Sequence, residues 1–388
     1  MSRSSGRILT THVGSLPRPR DLLDLMKAKV AGLTYDGAAY ETRVKSAVAE
    51  CVRKQVETGI DIVSDGEQSK PGFFTYVRER LEGFEARPQL KRQIFPAEVA
   101  AFPEYYEKYF REAMTGGAIA PVVPLVCTAP VNYCGEEALE RDLANLKAAA
   151  SGAQAHDAFV PAFMPAVAPS GVGTNEYYRT EEEFFHAVGR ALRTEYQMIV
   201  AAGFQLQVDD PFLCDIFADP ELNAAQRKKR AEMYVEAING SLRGIAPEKV
   251  RFHTCYGINE GPRIHEAALS DVVEYMLKVN AGAYSFEAAN PRHEHEYHLW
   301  ESVKLPEGKL LMPGVITHAS NIVEHPVLIA ERLVRFAKRV GRENVVASAD
   351  CGFSSQASYS TEVHPTVVWA KFEAMREGAR LATKQLWA

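Results

Sequence analysis

The sequence has few cysteines, no long apolar run and no excess of positive charge. Six cysteines among 388 residues are too sparse for a disulfide framework, so we expect reduced thiols. No stretch reaches the roughly 18 apolar residues of a membrane helix, and the N-terminus lacks the apolar core of a signal peptide. We therefore expect a cytoplasmic protein without a membrane partner. Lys and Arg total 44 against 50 for Asp and Glu, which argues against a nucleic-acid partner.

The composition is otherwise that of an ordinary globular protein. Hydrophobic residues make up 46% and charged residues 24% of the chain, which excludes disordered and collagen-like classes. A glycine-rich phosphate loop is also missing, because residues 13–17 contain a single glycine where a dinucleotide-binding fold has several. This absence counts against a doubly wound sheet.

Short β-rich runs alternate along the chain with long amphipathic segments, which is typical of a parallel α/β fold. We predict a TIM (β/α)8 barrel, in which eight parallel strands are each followed by a helix. Nine runs qualify as strands, so we expect the one at 121–127 to be accessory or not a strand. The candidate strands are 8–13, 61–64, 121–127, 158–164, 205–209, 250–254, 283–287, 310–316 and 345–350, and the clearest helices are 137–150, 181–202, 221–242, 265–280 and 326–340.

We expect residues 1–388 to form a single catalytic barrel with one insertion. No low-complexity linker and no short repeat divides the chain. The insertion is expected around 85–117, a tyrosine-rich segment that is too long for an ordinary βα connection. Such a segment would form a cap over the barrel or a contact between the subunits of a homo-oligomer.

The sharpest local feature is a His-x-Cys pair at a predicted strand end. His253 and Cys255 are two residues apart, so their side chains leave the strand on the same side, and both types suit a metal. Two later strand ends offer Glu287 and Cys351, and all strands of a barrel open at their carboxyl ends on one face. The four side chains are therefore able to converge. The alternatives are a packed imidazole, a helix-capping carboxylate and inert buried thiols.

Six short motifs occur in an order and spacing that fit such a barrel. They are Thr-His-Val-Gly-Ser-Leu-Pro at 11–17, Ser-Asp-Gly-Glu at 64–67, Gln-Val-Asp-Asp-Pro at 207–211, His-x-Cys at 253–255, Phe-Glu at 286–287 and Asp-Cys-Gly at 350–352. Together they resemble the catalytic C-terminal half of cobalamin-independent methionine synthase and its single-barrel relatives. The resemblance spans nearly the whole chain.

This resemblance implies a TIM-type barrel with a zinc ion (Zn2+) that activates a thiol. Carried over motif by motif, it makes His253, Cys255, Glu287 and Cys351 the zinc ligands. Four ligands fill the tetrahedral coordination that zinc prefers in proteins.

The resemblance also places three residues around the amino-acid end of a thiol substrate. Ser15 would bind the carboxylate, while Glu67 and Asp209 would bind the ammonium group. Two buried carboxylates are costly until a cation enters, which fits an α-ammonium group. Alternatively, Glu67 and Asp209 cap the helices that follow them or bind basic side chains.

Two histidine-containing segments lie near these motifs. His318 resembles the family's histidine that donates a proton to the leaving group, and the alternative is an imidazole packed against a loop. The stretch that contains His293, His295 and His298 follows Glu287 and superficially offers a second metal site. Alternating His and Glu more often forms a solvated loop or a helix start, and these residues could contact the alkyl donor.

The implied activity is zinc-dependent transfer of a methyl group to the thiol of homocysteine, which forms methionine. A free alkyl thiol has a pKa near 8.5, so it needs activation to be a thiolate at neutral pH. The partners are a small-molecule thiol and an alkyl donor, for which a folate, a corrinoid protein and another methylated compound all remain open.

Other activities are compatible with parts of this pattern. The alternative with the same chemistry is the opening of an epoxide by a small thiol, as in epoxyalkane:coenzyme M transferases. A metal-free decarboxylase of the kind used in porphyrin biosynthesis shares the barrel. A non-enzymatic protein with structural zinc would instead have a closed metal site.

Overall fold

Eight parallel strands form a nearly closed barrel in the computed structural model, which describes residues 1–90, 94–114, 117–120, 122–165, 174–257 and 260–388. Three further strands form a small separate sheet. In chain order the strands of these residues are β1 (Leu9–Thr10), β2 (Ile62–Val63), β3 (Leu81–Ala86), β4 (Leu125–Tyr133), β5 (Asp157–Phe163), β6 (Thr174–Asn175), β7 (Gln205–Asp210), β8 (Val250–Thr254), β9 (Ala283–Phe286), β10 (Leu310–Ile316) and β11 (Val346–Ala349).

The order of strands around the barrel is β1, β11, β10, β9, β8, β7, β5 and β2. Since each paired neighbour is parallel, every barrel strand points its carboxyl end to the same rim. Between β1 and β2, the Asp61 amide donates to the Thr10 carbonyl at 3.1 Å, which bridges the last gap. The TIM-type α/β barrel predicted from the sequence is confirmed.

The small sheet contains β3, β4 and β6, with β3 antiparallel to β4. The predicted strand run at 121–127 overlaps β4, which lies outside the barrel and is accessory, as expected. Residue 121 itself lies outside the described residues, as do residues 91–93, 115 and 116 of the expected insertion.

The helices pack around the barrel, and none in the described part of the chain is long and apolar enough to cross a membrane. The helix predicted at 221–242 begins later than expected, after a capping box formed by Asn223 and Gln226. The helix predicted at 265–280 is shorter than expected at both ends. The helices are α1 (Arg20–Val30), α2 (Gly37–Glu57), α3 (Pro96–Ala101), α4 (Pro103–Tyr109), α5 (Glu136–Ala153), α6 (Glu181–Ala201), α7 (Leu213–Ala218), α8 (Ala224–Ser241), α9 (Leu269–Lys278), α10 (Pro326–Val340) and α11 (Pro365–Leu386).

The barrel interior is filled by side chains, among them the buried cation Arg251. Its guanidinium lies 3.9 Å from the ring centre of Phe159 and donates to Thr11 Oγ1 and the His12 carbonyl. These bonds tie β8 to the segment that follows β1, which is not its neighbour in the barrel. Apolar residues complete the interior: Leu9, Ile62, Ala283, Leu310, Met312 and Val346.

Candidate metal centre and substrate pocket

Three metal-ligating side chains meet at the carboxyl-terminal mouth of the barrel. His253 lies near the end of β8, Cys255 directly follows that strand, and Cys351 lies just beyond β11. One ligand atom from each residue lies within 4.8 Å of the other two. Because β9 and β10 separate β8 from β11 along the barrel wall, the group forms across the mouth. The structure therefore brings together three of the four ligands expected from the sequence.

The chemistry of these three groups fits a metal ion. Nδ1 of His253 lies 3.3 Å from Ser285 Oγ, whereas its buried Nε2 has no hydrogen-bond partner among the described residues. Burial lowers the pKa of His253 to about 3, so the imidazole is neutral, the form that ligates metals. A hydrogen bond with Cys351, together with burial, raises the pKa of Cys255 well above its ordinary value. That thiol therefore keeps its proton until a cation displaces it.

Glu287, the fourth expected ligand, directly follows β9 but is not part of this group. Its Oε2 accepts hydrogen bonds from Arg263 at 2.7 Å and from Asn290 at 2.8 Å. Its Oε1 accepts one from the Tyr256 amide at 3.2 Å. Both oxygens of this carboxylate thus already have hydrogen-bond donors beside the three potential ligands.

A second buried group contains Glu287, His318 and Asp350, whose ligand atoms also lie within 4.8 Å of one another. His318 follows β10, and Asp350 accepts hydrogen bonds from the amides of Ala288 and Ala289 at 2.7 and 2.8 Å. Burial and the neighbouring Glu287 raise the pKa of Asp350. His318 is therefore close to the expected metal ligands, and its role as a proton donor stays a prediction.

The histidine-rich stretch after Glu287 leads into a 3-10 helix, Glu294–Glu301, with His293 as its N-cap. His293 is buried between Glu266 and Glu296, at 2.9 and 2.8 Å. Although burial opposes protonation, the bonds to these carboxylates raise the pKa of His293 to about 9, so it is a cation. His295 and His298 are exposed, and within the described ranges none of the three histidines belongs to a group able to hold a metal.

A cavity of about 720 Å³ opens at the barrel mouth beside the three ligands. It connects them with all three residues expected to bind the amino-acid end of a substrate. The apolar part of its wall includes residues from the segment around α3. Lining residues predicted from the sequence to bind metal or substrate are Ser15, Glu67, Asp209, His253, Cys255 and Cys351, and those near α3 include Leu90, Phe95 and Pro96.

Ser15 is positioned by a sharp turn after β1. Gly14 has φ of +135°, a conformation that favours glycine, and its backbone approaches Pro161 so closely that a Cβ would lie 2.5 Å from Pro161 Cγ. Ser15 Oγ accepts a hydrogen bond from the Ser354 amide at 3.4 Å, and its carbonyl accepts one from Phe353 at 3.0 Å. The turn therefore places this hydroxyl next to the loop that carries Cys351.

Glu67 and Asp209 form an acidic pair in the same cavity. Glu67 lies 3.9 Å from both Arg18 and Lys70, and its buried Oε2 has no hydrogen-bond partner among the described residues. Asp209 accepts a hydrogen bond from Gln207 at 2.7 Å. Burial and the charge of Glu67 raise the pKa of Asp209 well above its ordinary value. A cationic ligand would relieve this repulsion.

Sequence reasoning missed the basic residues that hold the acidic ones. Lys70 lies three residues after Glu67 and Arg18 follows the motif at 11–17, so charge spacing was a weak signal for both. Arg263 gave no local signal, because its partner Glu287 is 24 residues away on another loop.

The fold and the site together define a barrel enzyme with a group of potential metal ligands and an acidic cavity at the carboxyl ends of its strands. Residues 8–94 and 170–374 match the family described as cobalamin-independent synthase, catalytic domain. The chain therefore belongs to the cobalamin-independent methionine synthase family, and the predicted membership is confirmed.

Similar proteins of known name extend this finding. The methionine synthases of Saccharolobus solfataricus and Sulfurisphaera tokodaii are 22% and 23% identical to this chain, over 97% and 88% of it and 95% and 85% of their own lengths. That of Sulfolobus acidocaldarius is 26% identical over 249 residues, which cover 64% of this chain and 61% of the relative.

A solved structure shows the same fold. It is a B12-independent methionine synthase from Shewanella sp. W3-18-1 in complex with selenomethionine. The TM-score is 0.74 at 20% sequence identity, and the alignment covers 98% of this chain and 99% of that one. The likeness supports the barrel assignment independently of the sequence motifs.

Proposed function

We propose that this protein transfers a methyl group to the thiol of homocysteine, forming methionine, and that it does so with a bound zinc ion. The observation that carries the proposal is the shared cavity, in which the His253, Cys255 and Cys351 group faces the acidic pair of Glu67 and Asp209. A ligand with a thiol at one end and an ammonium group at the other matches both. The methionine synthases among its relatives support this assignment.

Zinc would be held by His253, Cys255 and Cys351, with Glu287 as the fourth ligand. One imidazole and two thiols are donors that zinc prefers, and the unpartnered Nε2 of His253 supplies the nitrogen. Zinc, when bound, keeps a coordinated thiol in its reactive thiolate form at neutral pH. We further propose a cytoplasmic location, where both cysteines stay reduced.

The residues of the chain would bind and orient the substrate. Glu67 and Asp209 would accept hydrogen bonds from the ammonium group, and Ser15 Oγ would donate one to the carboxylate. These contacts would hold the thiol end against the metal group, so that it lies in one orientation toward the methyl donor. His318 would hold the proton that the departing group takes up.

The acidic pair favours homocysteine over a sulfonate thiol such as coenzyme M. A sulfonate thiol carries no cation to pair with Glu67 and Asp209 and would bring a further negative charge next to them. The epoxide-opening activity is therefore the less suitable of the two thiol alkylations.

Calorimetric titration of the zinc-loaded protein tests the proposal. We expect one zinc per chain and homocysteine binding that weakens about tenfold or more in Glu67→Gln, since a hydrogen bond to a charged group is lost. Glu221→Gln is the matched control, because Glu221 lines the same cavity but is exposed. Absence of zinc, or tighter binding of 2-mercaptoethanesulfonate than of homocysteine, would contradict the proposal.

A further inference from the structure

A buried ion pair joins the expected ligand Glu287 to Arg263, which has no role in the proposed function. Arg263 Nη2 donates to Glu287 Oε2 at 2.7 Å, and its Nε donates to Glu266 Oε1 at 2.6 Å. The side chains of Arg263 and Glu287 are 3% and 0% exposed. In such a dry environment an arginine and a carboxylate hold each other firmly, because water does not screen them.

The loop that carries Arg263 is fixed in place by the segment around α3. Glu98 of α3 accepts hydrogen bonds from the backbone amides of Arg263 at 3.2 Å and His265 at 2.7 Å. Tyr106 donates a third bond to the same carboxylate at 3.0 Å. Arg263 itself has φ of +56°, which is unfavourable for a non-glycine residue, so the surrounding contacts determine its conformation.

This fixed arginine holds Glu287 in a particular place. Arg263 and Asn290 both bind Oε2, and the Tyr256 amide binds Oε1, so each carboxylate oxygen already has a donor. In this arrangement Glu287 lies outside the group of His253, Cys255 and Cys351. A carboxylate that shares its charge with an arginine is also a weaker donor to a cation.

We propose that Arg263 is a positioning residue that competes with the metal for the carboxylate of Glu287 and so leaves one coordination position available to the substrate thiol. The inference rests on the proposed function, since it requires a metal at the three ligands. It assigns the segment around α3 a purpose as well, because Glu98 fixes the loop from which Arg263 reaches Glu287.

Cobalt binding to the full-length apoprotein tests this proposal without any assay of activity. Co2+ affinity is measured by competition with a chromophoric chelator, and homocysteine is then titrated into the cobalt protein while its visible spectrum is followed. We expect Arg263→Gln to bind Co2+ about tenfold more tightly than the wild type, because Glu287 is released to the metal. The homocysteine concentration for half of the spectral change should rise by a similar factor.

Two further variants separate this effect from general loss of structure. Both effects should disappear in Arg263→Gln/Glu287→Gln, which should match Glu287→Gln alone. Arg263→Lys retains a cation and should stay close to the wild type. Arg80→Gln is the matched control, because Arg80 forms a comparably buried pair with Asp142 at 2.6 Å outside the cavity and should leave Co2+ affinity unchanged.

The outcomes distinguish this inference from the proposed function. If the wild type binds one Co2+ that responds to homocysteine but Arg263→Gln has unchanged or lower affinity, the positioning role is wrong and the function stands. Persistence of the tighter binding in the Glu287→Gln background would likewise overturn it, since repulsion by the arginine charge alone would then explain the result. Failure of the wild type to bind Co2+ would contradict both the positioning role of Arg263 and the proposed function.

Discussion

At the scale of single residues, Cys351 shows how a side chain without a distinctive local setting joins a group of potential metal ligands. It belongs to a loop after β11, and only the barrel brings its sulfur within 4.8 Å of ligand atoms from β8 and its following residue. Cys255 belongs to the same group, whereas the other four cysteines lie outside both groups that could hold a metal in the described chain. Position in the fold, rather than residue type, therefore separates the proposed ligand thiols from the other cysteines.

Replacement of this thiol should remove the metal. We expect Cys351→Ala to lower zinc affinity about a hundredfold or more, since loss of a direct ligand costs more than loss of an outer partner. Zinc content per chain and chelator competition measure this. Cys134→Ala is the control, because Cys134 is an exposed thiol outside the metal groups, and equal zinc retention by the two variants would refute the prediction.

Asp209 should lower the stability of the folded protein while it strengthens homocysteine binding. Burial and Glu67 raise its pKa, so the folded state holds its proton more tightly than the unfolded chain does, and ionisation at high pH costs stability. At pH 8 we expect Asp209→Asn to raise the melting temperature by about 1 to 3 °C while homocysteine binding weakens. Differential scanning calorimetry and titration test the two halves, and a lower melting temperature would contradict the first.

At the scale of elements, the turn after β1 decides where Ser15 lies. A Cβ on Gly14 would lie 2.5 Å from Pro161 Cγ, in addition to the strain of φ +135°. We expect Gly14→Ala to lower the free energy of unfolding by about 2 kcal/mol or more, measured by urea denaturation.

Gly6→Ala provides the matched control for this turn. Gly6 also has positive φ, +84°, but nothing lies within 4 Å of its would-be Cβ. It should cost only about 1 kcal/mol, from backbone strain alone. Equal costs at the two positions would show that the contact with Pro161 is unimportant.

The sequence predicted most barrel elements because parallel strands and their helices carry strong periodic patterns. β8 and β10 have the predicted bounds, whereas β1 and β2 are two residues each, shorter than the runs at 8–13 and 61–64. β1 and β2 lie at the two ends of the strand order, where the barrel closes. Here the predicted runs extend beyond the paired residues, because pairing depends on barrel closure, which local patterns do not encode.

The candidate site likewise has a part that the sequence predicted and a part that it did not. His253, Cys255 and Cys351 were predictable because strand ends of a barrel share one rim. The contacts of Arg263 were not, since its loop has no periodic pattern and its amide binds Glu98, 165 residues earlier. Sequence therefore predicts ligand types, while the network that sets their strength depends on three-dimensional packing.

At the scale of the whole molecule, buried histidines should make stability depend on pH. Burial lowers the pKa of His12 to about 3, and its Nε2 lies 2.8 Å from Gln55 Oε1. The unfolded chain therefore binds a proton below about pH 6.5 that the folded state refuses, so stability falls as the pH falls. His253 adds to this in the metal-free protein.

Urea unfolding of the metal-free protein at pH 7 and pH 5 measures this dependence. We expect the wild type to lose stability over this range and His12→Gln to lose about 2 kcal/mol less. His156→Gln changes an exposed histidine and should behave like the wild type. Identical losses in all three proteins would show that His12 does not contribute.

The spread of the proposed metal ligands along the chain has a consequence for biosynthesis. His253 and Cys255 leave the ribosome about 100 residues before Cys351, which corresponds to about 5 to 20 s of translation. During that interval the nascent polypeptide presents a two-donor fragment that can capture an ion only loosely. A metal held by all three side chains would therefore load only after Cys351 has been synthesised.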